Sequence, residues 1–211
     1  MVACEAMVGI ARACPLFTKL VDSLSPISIA AASTLKNAGI GAVGRYLENL
    51  SATERDGLFA AGLGILPLSE APSSPLTKDF GLARAETLLA KAATIGVPAG
   101  AHLMVDFEAQ QGAHADVLAY DEAVTFELAR NGYVPLVYVG ADQPLSGVEL
   151  YAIPDAHLYW RGGSLNIPNP TCGFAIWQIP PLDQTISGMH ADMNLTGADL
   201  RGRQPILWWP S

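Results

Sequence analysis

Four times along the chain a segment of helical character ends in glycine and gives way, within a few residues, to a short apolar run. The segments are LKNAGIGAVGRYL (35–47), FAAGLGILPLSE (59–70), AATIGVPAGAHLMVDFE (92–108) and LARNGYVPLVYVG (128–140). Glycine takes up the left-handed conformation that terminates a helix, and each run after it has strand length. The spacings are unequal, so the feature is a repeated helix–strand unit and not a sequence repeat. The helix starts carry their own signals. Ser51 and Glu54 match a capping box, and Asp79 is placed to cap a helix over 80–94 whose apolar stripe is Leu82, Ala85, Leu89 and Ala92. Asp116 or a neighbour opens a further helix through Ala129, with Val117, Tyr120, Val124 and Leu128 on one face and Asn131-Gly132 at its end.

After residue 140 helical spacing fades, and short runs remain between loops rich in Pro, Gly and Asn. Strands are predicted at 18–22, 41–47, 64–69, 101–108, 134–140, 158–162, 174–179 and 191–195. The final RQPILWWPS reads as a last strand or a closing lid. Eight strands alternating with helices predict an α/β fold, a (β/α)8 TIM-type barrel whose later helices are short or missing. An open doubly wound sheet is the alternative, against which stands the lack of a GxGxxG turn or P-loop. Residues 1–17 read as a lead-in containing a short helix or flexible stretch, and 18–211 as one domain.

Composition sharpens this picture. Half of the 211 residues are hydrophobic and only 15% charged, which suits strands buried on both faces. A net charge of −8 with no basic run argues against a nucleic-acid partner. No stretch approaches a membrane span, and MVACEAMVGIARAC lacks the basic start of a signal peptide. Cys4, Cys14 and Cys172 show no paired spacing and are expected to be free thiols.

Polar and aromatic residues gather where the apolar runs end: Asp22, Arg45 with Tyr46, Ser69 with Glu70, Asp106 with Glu108, Tyr138, Trp160 with Arg161, Trp177 with Gln178, and Asp192 with Asn194. A barrel places its active site at those ends, although a single acid closing a strand is more often a helix cap. In HLMVDFEA, Asp106 and Glu108 share one face of a strand, so both can project into the mouth. Neighbouring carboxylates raise each other's pKa, allowing one to stay protonated as a general acid. The spacing is equally compatible with a metal-binding or a structural pair. Tyr46, Tyr138, Trp160 and Trp177 could stack on sugar faces or simply pack the core. His102 lies deeper on the same face and reads as a satisfied buried histidine. His190 is a weak candidate, and no GxSxG elbow or HExxH is present.

VDFE, LVYVG, YW, AIWQI and ADMN, in that order, resemble the glycoside hydrolase family 25 lysozymes. The layout is closer still to an allied glycoside-hydrolase-like domain of unknown function from actinobacterial and phage proteins, which shows the same GxxxVGRYL second strand. The resemblance implies a barrel that cleaves the β-1,4 bond between N-acetylmuramic acid and N-acetylglucosamine, without a cofactor or metal. It implies that Glu108 is the proton donor and Asp106 the partner that orients or stabilises the 2-acetamido group. Asp22 and Asp192 match the acids of the first and last strands, and Trp177-Gln178 a WQ pair. Arg45, Tyr46, Glu70, Tyr138, Trp160, Trp177, Gln178 and Asn194 are the expected substrate contacts. One departure stands out: GRYLENLS replaces the family 25 second-strand ending, and Arg45 in the mouth would lower the pKa of the acids. The expectation is a peptidoglycan glycosidase in a phage virion or a host cytoplasm before release. The alternatives are a non-catalytic glycan-binding or phage assembly module and, further off, a metal-dependent phosphodiesterase.

Overall fold

A computed structural model describes residues 9–72 and 76–211. Cys4 lies outside the described residues. Eight strands close into a barrel: β2 (Lys19–Ser23), β3 (Ala42–Tyr46), β4 (Gly64–Leu68), β5 (His102–Asp106), β6 (Val134–Val139), β7 (Leu158–Arg161), β8 (Ile176–Ile186) and β9 (Met189–Thr196). Strands β2 to β8 pair in parallel and in chain order. β9 runs antiparallel to both β8 and β2 and closes the ring. The reversal has a local cause: Ser187 and Gly188 alone join β8 to β9, and a parallel connection needs a dozen residues or more. The eight predicted strands are all present. β8 and β9 extend beyond their predicted ends into a projecting hairpin, with a register irregularity between Ile179 and Gln184.

Among the described residues five helices lie outside the barrel: α1 (Ile29–Asn37), α2 (Ala52–Ala60), α3 (Lys78–Ile95), α4 (His114–Arg130) and the short α5 (Gly147–Ala152). No helix joins β7 to β8 among the described residues. Gly96 ends α3 with φ 82°, its N–H returning to Ala92 and Ala93, as the glycine rule required. Two helix starts differ from expectation. Thr77, not Asp79, caps α3, accepting from Phe80 N. Ser51 caps α2 as expected, but the Glu54 side chain is drawn away to other partners.

The remaining strands, β1 (Gly9–Ala13) and β10 (Ile206–Pro210), form an antiparallel ribbon beside β4. Residues 9–13 are thus strand where the sequence suggested a helix or flexible stretch. Their partner lies almost at the other end of the chain, beyond any local pattern. Strand alternation sorts the core into two compartments. Leu20, Leu66, Met104, Leu136 and Leu158 fill the barrel interior. Val21, Val43, Ile65, Leu103, Val105 and Val137 face outward under the helices. Cys14 and Cys172 are buried free thiols. His102 is fully buried at the base, where its Nδ1 lies 2.7 Å from Ile206 N. Burial depresses its pKa to about 3, so it is a neutral structural group.

Candidate active site

The same alternation that sends Leu20 and Met104 inward carries the last inward residues of seven strands into the mouth, β4 contributing none, and Glu108 joins them from the loop that follows β5. Asp22, Tyr46, Asp106, Glu108, Tyr138, Trp160, Gln178 and Asp192 line one cavity of 80 Å³, with Met104 among its walls. A 260 Å³ depression shares Asp22, Tyr46 and Asp192 with it and reaches along the β8–β9 hairpin to Asp183 and His190. Register explains the convergence: Asp22 lies opposite Gly44 on one side and Asp192 on the other. Gly44 is required there, because a Cβ would come within 2.8 Å of Asp22 Cβ and 2.9 Å of Leu68 Cδ1.

Three of the four acids are held by donors. Asn194 Nδ2 donates to Asp22 Oδ2 at 2.7 Å, and its own oxygen accepts from Trp160 Nε1 at 3.0 Å. Asp192 accepts from Gln178 Nε2 (2.7 Å) and from the backbone N–H of Asp183. Gln178 Oε1 in turn accepts from Tyr138 Oη (2.9 Å) and Gly163 N (2.8 Å). Asp106 Oδ1 accepts from Glu108 N at 3.0 Å. The Glu108 carboxyl has no hydrogen-bond partner among the described residues and is half-buried at the cavity wall. Tyr138 meets Trp160 edge-on, centroids 5.3 Å apart at 89°, which sets the aromatic side of the mouth.

Burial dominates the electrostatics. It pushes Asp22 up to about 7; Asn194 works against the rise, while Asp192 and Glu108 add to it. Asp106 is raised well above the ordinary carboxyl range by burial and then by Glu108. Glu108 is raised by burial and then by Asp192. The phenols of Tyr46 and Tyr138 are raised for the same reason and remain donors. No Lys or Arg lines either cavity among the described residues. Arg84 does lower Asp106, but as the last of its influences, and it is paired with Glu48 at 2.8 Å. The site thus combines one unpartnered carboxyl, raised in pKa, with three acids held by hydrogen-bond donors. Among the described residues no group of three or more His, Cys, Asp or Glu could hold a metal ion.

Arg45, Glu70 and Trp177, expected among the mouth residues, do not enter either cavity. Arg45 is the outward neighbour of inward Tyr46. It is fully buried beneath α2, where Nε bonds Glu54 Oε1 at 2.7 Å and Nη1 donates to Ser23 O. Glu54 also accepts from Ile27 N at 2.8 Å. The cation expected to depress the acids is therefore neutralised on the far side of the barrel wall. Trp177 likewise alternates with inward Gln178 and packs outside against Gly197, where a Cβ would approach its ring to 2.6 Å. Glu70 is exposed, on the side of Asn49. Asn194 sits beneath Asp22 and Trp160 and acts on the cavity through them.

Sequence reasoning missed four residues around Glu108. Gly140 leaves the space it occupies, since a Cβ there would overlap its side chain. Gln110, Asp121 and Gln143 tie down the loop that carries it. The pattern LVYVG marks Gly140 as a strand end; nothing in the sequence marks the other three.

A family model described as "Rv2525c-like, glycoside hydrolase-like domain" matches residues 33–180. No curated protein matches the chain. Among solved structures, that of an uncharacterized B. stearothermophilus protein superposes with a TM-score of 0.69 at 18% identity, covering 85% of this chain and 95% of that one. A family 25 glycosyl hydrolase from Bacillus anthracis gives 0.56 at 14%, covering 88% and 92%. The autolysin LytC from Streptococcus pneumoniae, in complex with a synthetic peptidoglycan ligand, gives 0.56 at 13%, covering 84% of this chain and 46% of that one. At these identities the likeness to the solved structures is one of fold.

Proposed function

The chain belongs to the Rv2525c-like, glycoside hydrolase-like domain family, and from that premise we propose that it is a glycosidase of bacterial cell-wall polysaccharide, a muramidase with Glu108 as general acid. The observation that carries the reading is the state of Glu108: unpartnered, facing the mouth, and raised in pKa by burial and Asp192. A general acid must hold its proton until the glycosidic oxygen takes it, and burial without a cation does that. As the C–O bond breaks, the Glu108 proton passes to the leaving oxygen and positive charge grows on the anomeric carbon and ring oxygen of the sugar that stays behind. Asp106, whose Oδ1 is fixed by the Glu108 N–H, orients the sugar's 2-acetamido group by hydrogen bonding, a role that does not require it to be ionised. Asp192 supplies negative field from the opposite wall, and water then adds its hydroxyl to the anomeric carbon while its proton returns to the carboxylates, restoring Glu108. Tyr46, Tyr138 and Trp160 offer the flat faces on which a pyranose packs. The peptidoglycan ligand bound by LytC supports a cell-wall substrate for this fold.

The test is digestion of purified peptidoglycan by wild type and Glu108→Gln, with reducing-end release and mass analysis of fragments. Wild type should release muramic-acid-ended fragments, and Glu108→Gln should lose on the order of 10²–10⁴-fold in rate while keeping its fold. Wild-type protein that binds the polymer but releases nothing would replace this reading with a glycan-binding one.

A further inference from the structure

Glu108 stands on the loop between β5 and α4, and that loop is held by polar side chains that touch neither mouth cavity. Phe107 N donates to Tyr138 O at 2.9 Å and Ala109 N to Ala141 O at 2.8 Å, so the backbone on both sides of Glu108 is tied to the β6 side. The chain then turns through Ala109 at φ 51°, a left-handed conformation that costs a non-glycine residue on the order of 1 kcal/mol or more. Such a turn persists only when its surroundings over-determine it.

The surroundings are a chain of three side chains. Gln143 Nε2 lies 2.8 Å from Phe107 O and 2.8 Å from Gln110 Oε1, while its own oxygen accepts from Leu145 N at 2.8 Å. Gln110 Nε2 donates to Asp121 Oδ1 on α4 at 2.6 Å. Gln110 is 4% exposed and Asp121 fully buried, with Asp121 Oδ2 left without a partner. Burying polar groups is unfavourable unless they are bonded, and a bonded network specifies one geometry. Closing a surface loop does not need a buried acid with an unused oxygen. Fixing one carboxyl opposite Gly140 does need a rigid loop.

We infer that Gln143, Gln110 and Asp121 are positioning residues for Glu108, locking the β5–α4 loop so that its carboxyl faces the mouth; the inference rests on the glycosidase reading. Asp121 serves as a hydrogen-bond acceptor and not as a charge. Burial raises its pKa well above the usual carboxyl range, which favours the neutral form. The titratable groups facing Glu108 itself are Asp106 on β5, Asp192 on β9, Asp22 on β2, Tyr46 on β3 and Tyr138 on β6.

The experiment compares full-length wild type, Gln143→Leu, Asp121→Leu and Asp121→Asn in peptidoglycan digestion across pH. It is paired with a carboxyl NMR titration of Glu108, whose signal is identified by its loss in Glu108→Gln. Gln143→Leu and Asp121→Leu should lower kcat about 10–100-fold, with KM within about two-fold. In both, the Glu108 titration should move toward the ordinary carboxyl value as water reaches it. Asp121→Asn keeps the acceptor for Gln110 and should stay near wild type in both readouts. The inference is overturned if the two leucine variants lose thermal stability alone, with kcat, pH limb and titration unmoved, or if Asp121→Asn behaves like Asp121→Leu. A wild-type protein that releases no fragments sinks the glycosidase reading, and the positioning role then stands or falls on the titration.

Discussion

Replacing Asp22 by asparagine should stabilise the protein, and the gain should grow with pH. The unfolded carboxyl titrates near 3.8, whereas in the barrel burial raises it to about 7. Between those two values the folded chain holds a proton that the unfolded chain has lost, so stability falls as pH rises through this window. Below the window both states are protonated and burial of the ionised form costs nothing. Above it both are ionised, and the full difference, up to about 4 kcal/mol, is charged against the fold. Asparagine is never ionised, and its side-chain oxygen can still accept the Asn194 N–H that now reaches Asp22 Oδ2 at 2.7 Å. Guanidinium unfolding of both proteins should therefore give nearly equal stabilities at about pH 4, a gap of roughly 2 kcal/mol at about pH 5.5, and the largest gap at about pH 8. For a chain of this size the largest gap is on the order of 10 °C in Tm. If Asp22 also serves hydrolysis, the stabilised variant will be the poorer enzyme, the usual consequence of relaxing a strained site. A gap independent of pH, or one that opens toward acid, would refute the argument, because neither can arise from burying an ionised carboxylate.

Arg45→Met leaves the buried Glu54 carboxylate without its cation and should cost about 3–5 kcal/mol in denaturant unfolding, with the pH profile of hydrolysis unchanged because Arg45 does not reach the mouth. Arg45→Met with Glu54→Gln should recover part of that loss, since glutamine still accepts the Ile27 N–H. Asp192→Asn removes the charge that, after burial, raises Glu108. The basic limb of the pH–rate profile for peptidoglycan hydrolysis should then move to lower pH, and an unmoved limb would show that Glu108 is not the titrating acid.

The path from sequence to site is clearest in HLMVDFEA. An apolar strand ending in two acids at i and i+2 predicts both on one face; β5 stops at Asp106, two residues short of the predicted end, and Glu108 follows on the loop, yet both line the mouth. The same rule bears on VGRYL and IWQI, where Arg45 and Tyr46, or Trp177 and Gln178, are adjacent and cannot both face inward. Alternation forbids the pair but does not say which member wins. The choice is made elsewhere: Glu54 of α2 takes Arg45 into a buried ion pair, and Gly197 leaves the space that Trp177 fills. Glu54 also shows how a local motif is overridden. Its spacing from Ser51 suits a capping box, yet a buried guanidinium is a stronger partner than a backbone amide at an exposed helix end.

What the sequence by itself determined was the eight barrel strands, the glycine-ended helices, the two mouth acids Asp106 and Glu108 and the family to which their order belongs. These depend on a period of two, on helix termination and on apolar run length, all written within a few residues. The tertiary structure alone decided the pairing of β9 with β2, the β1–β10 ribbon, the outward placement of Arg45 and Trp177, and the Gln143–Gln110–Asp121 support beneath Glu108. Each of these joins residues of different elements, and a contact between elements is selected by burial and hydrogen-bond satisfaction in the closed barrel, which no local pattern encodes.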